Sequence, residues 1–387
     1  MKAVVIDAEW APREGARISE ADRARRWAGN ASEAYRNPSV TYQDVPDPGS
    51  PGPTEVIIEV GACGICGSDV HMFETDDEGY MLLPYHLKAP VITGHEFAGK
   101  VVAIGSEVNS LRVGELVAVE EIQWCGRCRE CRGGFWNQCG YIEDLGFTLD
   151  GGFAQYVRAD SRFCWSLDAV AERYGSEDLA LDVGALTEPT SVAYEGMFTR
   201  AGGFKPGGAV AVFGGGPVGL ASVALAAAAG ASQVFCLDTI PERRDLALAL
   251  GATTVIDPLN ADASGIIDEA THGIGVTMAV ECSGNFRAVF PTIEDTLGVG
   301  GKIVVTGMDA RSVELNFIRH QLKAGSIYGT VGHSGSWDFP NVIALMGSGR
   351  INMDRAITHR FPLADLVGAV DETKRRANGK ILVKPGL

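Results

Sequence analysis

The chain has 387 residues, too many for one ordinary core, so two domains are expected. A hydrophobic fraction of 46% and a charged fraction of 21%, with no low-complexity tract, exclude a largely disordered protein. The formal net charge of −16 argues against a nucleic-acid partner, because phosphate backbones are gripped mainly by Lys and Arg.

The opening run Met1-Lys2-Ala3-Val4-Val5-Ile6-Asp7 reads as a strand without a signal-peptide pattern, and a cytoplasmic location is expected. No membrane partner is expected. The longest apolar run, roughly Ala209 to Ala231, is broken by Gly214, Gly215, Gly216, Pro217 and Gly219, whereas a membrane helix needs about 20 largely uninterrupted apolar residues. Nine cysteines in such a chain favour metal or core roles over disulfides.

Residues 10–40 stand apart in texture. Glu14 to Glu33 intersperse Arg, Glu and Asp with few large apolar groups, the pattern of a solvated surface insertion. Trp10, Trp27 and Tyr35 are available as anchors if the segment is instead a lid or a subunit contact.

Residues 1 to about 190 alternate short strand-like runs, such as Glu55-Val56-Ile57-Ile58-Glu59-Val60 and Leu116-Val117-Ala118-Val119, with glycine turns, so this region leans to β structure. Within it Cys66 sits in Gly64-Ile65-Cys66-Gly67-Ser68-Asp69-Val70-His71, His95 and Glu96 follow Gly94, and Glu188 precedes Pro189. One thiolate, one imidazole and a carboxylate form a catalytic zinc composition, provided the fold brings them together. Cys63 and Cys66 also make C-x₂-C, so a redox or zinc-ribbon pair competes, and His95 alone reads as a satisfied half-buried histidine.

Cys125, Cys128, Cys131 and Cys139 give C-x₂-C-x₂-C-x₇-C in a lobe at about 120–140. Four thiolates this close suit a closed tetrahedral zinc site, with an iron–sulfur cluster as the rival chemistry. Cys164, Cys236 and Cys282 fall in strand-like apolar runs and are expected in cores.

From about Ser191 to Val331 the rhythm becomes strand, glycine turn, alanine-rich helix, strand, which implies βαβ units and a parallel sheet. Val210-Ala211-Val212-Phe213 runs into Gly214-Gly215-Gly216-Pro217-Val218-Gly219, then a helix from Leu220 to Ala229 and a strand Gln233 to Leu237. Asp238 ends that strand about 20 residues after the G-x-G-x-x-G turn, as a dinucleotide fingerprint requires. Gly214 permits the tight turn, Gly216 lets the backbone approach a pyrophosphate, and Gly219 allows helix and strand to pack closely. Asp238 should accept bonds from ribose hydroxyls and repel a phosphate there, which favours NAD over NADP; Arg243 and Arg244 soften that preference. Arg243, Thr306 and Gly307 complete the cofactor candidates with Pro217 and Val218.

Texture becomes mixed again from about Gly332, so residues 1–190 and 332–387 are expected to form one domain into which 191–331 is inserted. Such an arrangement places a cleft between domains, where small ligands usually bind.

Taken together, the chain resembles the zinc-dependent medium-chain alcohol dehydrogenases of the polyol and threonine branch. The motifs are G-I-C-G-S-D-V-H at 64–71, G-H-E at 94–96, the cysteine lobe at 125–139, G-G-F-A-Q-Y-V at 151–157, E-P-T-S-V-A at 188–193, the glycine turn and I-T-H-R-F-P-L at 357–363. Trp10-Ala11-Pro12-Arg13, the run from His71-Met72 to Asp76-Asp77-Glu78-Gly79-Tyr80, and Gly332-His333-Ser334-Gly335 are similar to the inositol-catabolic scyllo-inosose dehydrogenases.

The resemblance implies an α/β protein: a GroES-like β-rich catalytic domain and a Rossmann doubly wound parallel-sheet domain that binds NAD. It implies two zinc ions per chain, the catalytic one on Cys66, His95 and Glu188 or Glu96, which exchange during turnover. Asp69 would orient the zinc-bound histidine, and Ser68 and His71 would form the proton relay. Glu188 stands where ethanol-type enzymes have a cysteine, which points to a small-molecule polyol or cyclitol. Hydroxyls of such a substrate need buried polar partners, and Glu120, Glu121, His333 and Trp337 are the candidates. Ile327-Tyr328-Gly329 resembles the family's subunit-pairing edge, so a homodimer or homotetramer is expected. Metal-free reductases of the same fold, a non-catalytic NAD- and zinc-binding protein, and a zinc-ribbon module fused to a nucleotide domain remain as rivals.

Overall fold

The strand Glu55–Gly64 turns Val56, Ile58 and Val60 onto one core face, the alternation that β-branched residues produce on a pleated sheet. In the computed structural model, which describes residues 1–308, 311–333, 335 and 337–387, this strand lies at the centre of a seven-stranded sheet. The order across it is Cys164–Ser166, Leu116–Val119, Glu96–Ile104, Glu55–Gly64, Lys380–Lys384 and Ile357–Pro362, with Tyr156–Asp160 also paired to Glu55–Gly64. The sheet belongs to the first of two units, Met1–Glu188 with His359–Arg375 and Ile381–Leu387. The late segments are tied in by a buried ion network. Lys384 Nζ and Arg360 Nε donate to the two oxygens of Asp182, each at 2.6 Å, and Lys384 also pairs with Asp178.

Residues 10–40 are not a loose surface insertion. Lys2–Trp10 pairs antiparallel with Tyr35–Asp44, and Ala28, Ala31, Ala34 and Tyr35 are fully buried with Met72, Met81, Leu83, Leu87 and Phe147. Trp10 packs edge-on against Tyr35, with ring centroids 5.1 Å apart. Arg13 pairs with Asp76 and Glu78 and lies 3.7 Å from the centre of the Tyr80 ring. The expectation of a solvated stretch holds from Glu14 to Trp27 and fails at 28–35, where the buried positions are mostly alanines, which pack backbone closely without supplying the large apolar groups that betray a core in sequence. The stretch from Trp10 to Trp27, including the short helix Glu20–Arg25, has no buried residue.

The second unit, Pro189–Thr358 with Arg376–Lys380, holds a six-stranded parallel sheet. Its order is Thr254–Ile256, Gln233–Leu237, Ala209–Phe213, Val276–Glu281, Leu297–Val305 and Ser326–Gly329. The helix Pro217–Ala228 starts on proline, which is preorganised for a first turn, and its alanines and leucines favour the helix while Gly219 to Ala226 are buried.

The division of the chain differs from the expected one at its second boundary, since residues 332–358 belong to this unit. The helix Asp338–Gly347 buries Phe339, Val342, Ile343 and Met346, and the turn Met353–Ala356 packs on the helices Pro217–Ala228 and Pro241–Ala249. The change of texture near Gly332 marks a glycine-rich loop, not a domain border.

Glu195 and Asp338 form a buried carboxyl pair in this unit, with Thr199 Oγ1 donating to Asp338 Oδ1 at 2.8 Å. Burial and the Asp338 carboxyl push Glu195 from the ordinary 4.5 up to about 8, against opposing pulls from Arg200 and His333. A carboxyl whose folded pKa exceeds its unfolded value holds more protons when folded, so stability falls as pH rises between those values. Asp338→Asn keeps an acceptor for Thr199 and offers Glu195 a donor. We expect it to melt about 1 °C above the parent at pH 8, roughly 1 kcal/mol, with the gap closing at pH 5. Parallel melting curves at both pH values would contradict the shared-proton account. Among the described residues no helix is long and apolar enough to cross a membrane.

Candidate functional site

In the first unit the strand Glu55–Gly64 delivers the chain to Cys66, which caps the helix Gly67–Phe73. The Cys66 N–H donates to Asp69 Oδ2 at 2.9 Å, so the fully buried Asp69 closes the first turn and fixes the thiol's backbone. Its other oxygen, Oδ1, lies 3.7 Å from His95 Nδ1. Glu96 begins the strand Glu96–Ile104 opposite Gly64, and a Cβ at Gly64 would stand 2.1 Å from Glu96 Oε2. Glycine at 64 is therefore what admits that carboxylate.

Ligand atoms of Cys66, His95 and Glu96 all lie within 4.8 Å of one another. Zinc–ligand bonds of about 2.0–2.3 Å place tetrahedral donors roughly 3.3–3.8 Å apart, so the set fits that ion. Burial would lower the His95 pKa, but the Asp69 carboxylate and the Cys66 thiol outweigh it and hold the ring well above its usual value. A pocket that favours positive charge on this ring is electrostatically suited to a cation at it. Cys63 does not join the group; its buried thiol packs in the core of the sheet.

Glu188 also stands outside this trio, and one of its carboxylate oxygens lies within 4.8 Å of one from Glu121. Glu120, expected to face substrate, is committed elsewhere: its Oε1 accepts from Trp165 Nε1 at 2.6 Å. Ser68 and His71 share a face of the helix Gly67–Phe73 at i, i+3 spacing. The Ser68 hydroxyl is buried with no hydrogen-bond partner among the described residues, whereas the His71 side chain is half exposed, 3.6 Å from Glu74.

The cysteine lobe forms a second donor set. The sulfurs of Cys125, Cys128, Cys131 and Cys139 lie within 4.8 Å of one another, with Cys128 Sγ 3.8 Å from Cys139 Sγ. That is the separation tetrahedral zinc imposes, roughly 3.8 Å for bonds of about 2.3 Å, and all four thiols are free of disulfides. Backbone N–H groups aim at the sulfurs: Cys128 at Cys125, Cys131 at Cys128 and Tyr141 at Cys139, at 3.3–3.4 Å. The N–H groups of Arg127 and Cys128 bring the Cys125 thiol down to about 6, whereas burial pushes Cys131 up to about 12 and Cys139 up as well.

In the second unit the expected cofactor residues converge at the C-terminal edge of the parallel sheet, where such sheets bind ligands. Gly214 takes φ 101°, and a Cβ at Gly219 would lie 1.8 Å from the Gly214 carbonyl oxygen. Val218 follows Pro217 in the first turn of the helix that Gly216 caps, with Arg243 Nη1 about a van der Waals contact from where a Gly216 Cβ would sit. Asp238 Oδ2 accepts from Gly215 N–H at 2.6 Å and Oδ1 from Ile240 N–H at 2.8 Å. Thr306 and Gly307 both donate backbone N–H to the Glu281 carbonyl at 3.0 Å, one strand over. Cys164 and Cys236 are buried in strands, while Cys282 lies just past the strand Val276–Glu281, 3.2 Å from Thr306 Oγ1. His333 is buried with its ring 4.6 Å from Phe339, Trp337 is exposed, and Ser334 lies outside the described residues.

Sequence reasoning missed Tyr85, His86 and Asp144. In the first unit Asp144 Oδ2 accepts from Tyr85 Oη at 2.9 Å and from His86 Nε2 at 2.5 Å. The segment Pro84-Tyr85-His86 has neither periodicity nor motif to announce this.

Known proteins share this whole layout. Residues 52–169 match the family described as alcohol dehydrogenase GroES-like domain, and residues 217–348 match zinc-binding dehydrogenase. The chain is 40% identical to a scyllo-inosose 3-dehydrogenase of Thermotoga maritima over 394 residues, covering 99% of this chain and 98% of that one. It is 33% identical to an L-threonine 3-dehydrogenase of Caldanaerobacter subterraneus over 86% of this chain and 92% of the relative. A solved structure from Thermotoga maritima, described as an alcohol dehydrogenase, superposes with a TM-score of 0.95 at 38% identity, covering 99% of both chains.

Proposed function

Because this chain belongs to the zinc-dependent medium-chain alcohol dehydrogenases, we propose that it moves a hydride between NAD and a secondary alcohol or ketone of a cyclic polyol, of inositol or aminocyclitol type. Membership makes it an oxidoreductase acting on CH–OH groups of a small-molecule alcohol, with zinc and a nicotinamide cofactor. The observation that carries the finer reading is the meeting of Cys66, His95 and Glu96 within 4.8 Å.

Cys66, His95 and Glu96, with Glu188 in exchange, would hold the zinc, which would supply Lewis-acid polarisation of the substrate oxygen. Asp69 fixes the His95 ring and the Cys66 backbone from one carboxylate. Ser68 Oγ, whose bonding capacity is unspent among the described residues, takes the substrate proton as it releases its own, and the half-exposed His71 passes charge to solvent. A second zinc on the four cysteines would hold the lobe without an open position.

Asp238 supports NAD over NADP, since its buried carboxylate, anchored to the glycine turn, would repel a phosphate on the ribose. Arg243, whose Nε donates to the Asn378 carbonyl at 3.2 Å, lies close enough for its charge to act on Asp238, which softens that preference without removing the carboxylate. A homodimer or homotetramer is supported by the sheet's last strand, Ser326–Gly329, beside the helix Phe317–Lys323, which leaves Phe317, Ile318 and Leu322 exposed.

Initial rates with inositols, aminocyclitols, sorbitol and threonine, each with NAD and NADP, test the reading. We expect kcat/KM at least about tenfold higher for a cyclic polyol with NAD than for sorbitol or threonine. A maximum on threonine or sorbitol would replace the substrate class proposed.

A further inference from the structure

Phe147 places Tyr85 one aromatic ring away from the metal-ligand candidates. Its ring centroid lies 4.8 Å from that of His95 and 5.2 Å from that of Tyr85. Tyr85 is half-buried where His86, Asp144 and Phe147 are buried, and the carboxylates of Asp144, Glu121 and Glu188 all act on its phenol. Burial and those three charges hold the phenol well above its ordinary pKa, so it keeps its proton and spends it on Asp144.

The orientation of Tyr85 is over-determined. Asp144, fully buried, receives bonds from Tyr85 Oη and His86 Nε2 on one oxygen, and the His86 ring is sandwiched between Tyr85 at 3.9 Å and Trp27 at 5.7 Å. The backbone is fastened as well. Ala28 and Leu87 exchange bonds of 2.9 and 3.0 Å, Ala31 N–H donates to the Tyr85 carbonyl at 2.9 Å, and Ser32 N–H donates to the Leu83 carbonyl at 3.0 Å. Residues 27–32 thus grip the segment 83–87 from both backbone and side chain.

We propose that Tyr85 determines substrate specificity by accepting a hydrogen bond from a hydroxyl remote from the reacting carbon, and that the 10–40 segment serves to hold it there. With its proton donated to Asp144, the phenol oxygen offers only lone pairs outward. The Glu121 carboxylate that acts on the same phenol is an acceptor too, so this side of the site recognises substrates that present several donating hydroxyls. An alcohol with one hydroxyl spends that group at the reacting centre and cannot make this second bond. The inference rests on the polyol reading given above.

Tyr85→Phe tests it, read against an inositol and cyclohexanol with NAD. The ratio of kcat/KM for inositol over cyclohexanol should fall about tenfold, mainly through KM for inositol, the effect of one lost hydrogen bond to a hydroxyl. Trp27→Ala, which loosens the grip without touching the phenol, should lower the ratio in the same direction by a smaller factor. Equal losses on both substrates, or an unchanged ratio, would overturn the assignment. Parent enzyme that turns over cyclohexanol but no cyclic polyol would instead overturn the substrate reading beneath it.

Discussion

Replacing His95 with alanine is expected to lower kcat/KM by about 10³-fold or more while NAD affinity stays within about threefold. His95 contributes the imidazole of a donor set whose other members are a thiol and a carboxylate, all within 4.8 Å. Alanine leaves a thiol and a carboxylate without the imidazole between them, with Asp69 Oδ1 deprived of the ring 3.7 Å away. Lewis-acid assistance is worth several kcal/mol of barrier, and about 1.4 kcal/mol is a decade in rate. The glycine turn and Asp238 belong to the other unit and keep their own bonds, such as Gly215 N–H to Asp238. Steady-state kinetics and a fluorescence titration with NAD separate the two effects. Joint loss of turnover and cofactor affinity would contradict this division of roles.

Cys128→Ser should lower the melting midpoint by about 10 °C, because a four-thiolate zinc contributes folding energy directly. Cys128 caps the helix Arg129–Arg132, its sulfur accepts the Cys131 N–H at 3.4 Å, and it lies 3.8 Å from Cys139 Sγ. Serine preserves the cap but is a poor zinc ligand, so the change isolates the metal from the helix. A shift of that size needs a loss of roughly 8 kcal/mol in a chain of this length, within the roughly 10–16 kcal/mol that structural zinc binding contributes. Unchanged calorimetric melting would show that the four sulfurs do not hold a stabilising ion.

Legibility in the sequence follows how local each constraint is. Binding a pyrophosphate needs contiguous glycines and a helix start, so Gly214 to Gly219 and Asp238 were readable as one string and fold as read. The cysteine lobe was equally open, since one short loop must bring four thiols together. Cys66, His95 and Glu96 are scattered, and only their order among the other motifs pointed to convergence; the structure then chooses Glu96 over Glu188 for the compact trio. Glu120 looked like a substrate contact because nothing in its neighbourhood announces that Trp165 will claim it. Tyr85 was invisible for the complementary reason. Its significance comes from Asp144, Phe147 and Ala31, each far along the chain, and an alanine-built core gives no periodic signal.

Zinc counted per chain by elemental analysis, on the parent enzyme and on His95→Ala side by side, tests the central claim most directly. About two ions in the parent and about one in the variant are predicted, the remaining ion belonging to the cysteine lobe. An unchanged count on loss of His95 would mean that this imidazole holds no metal.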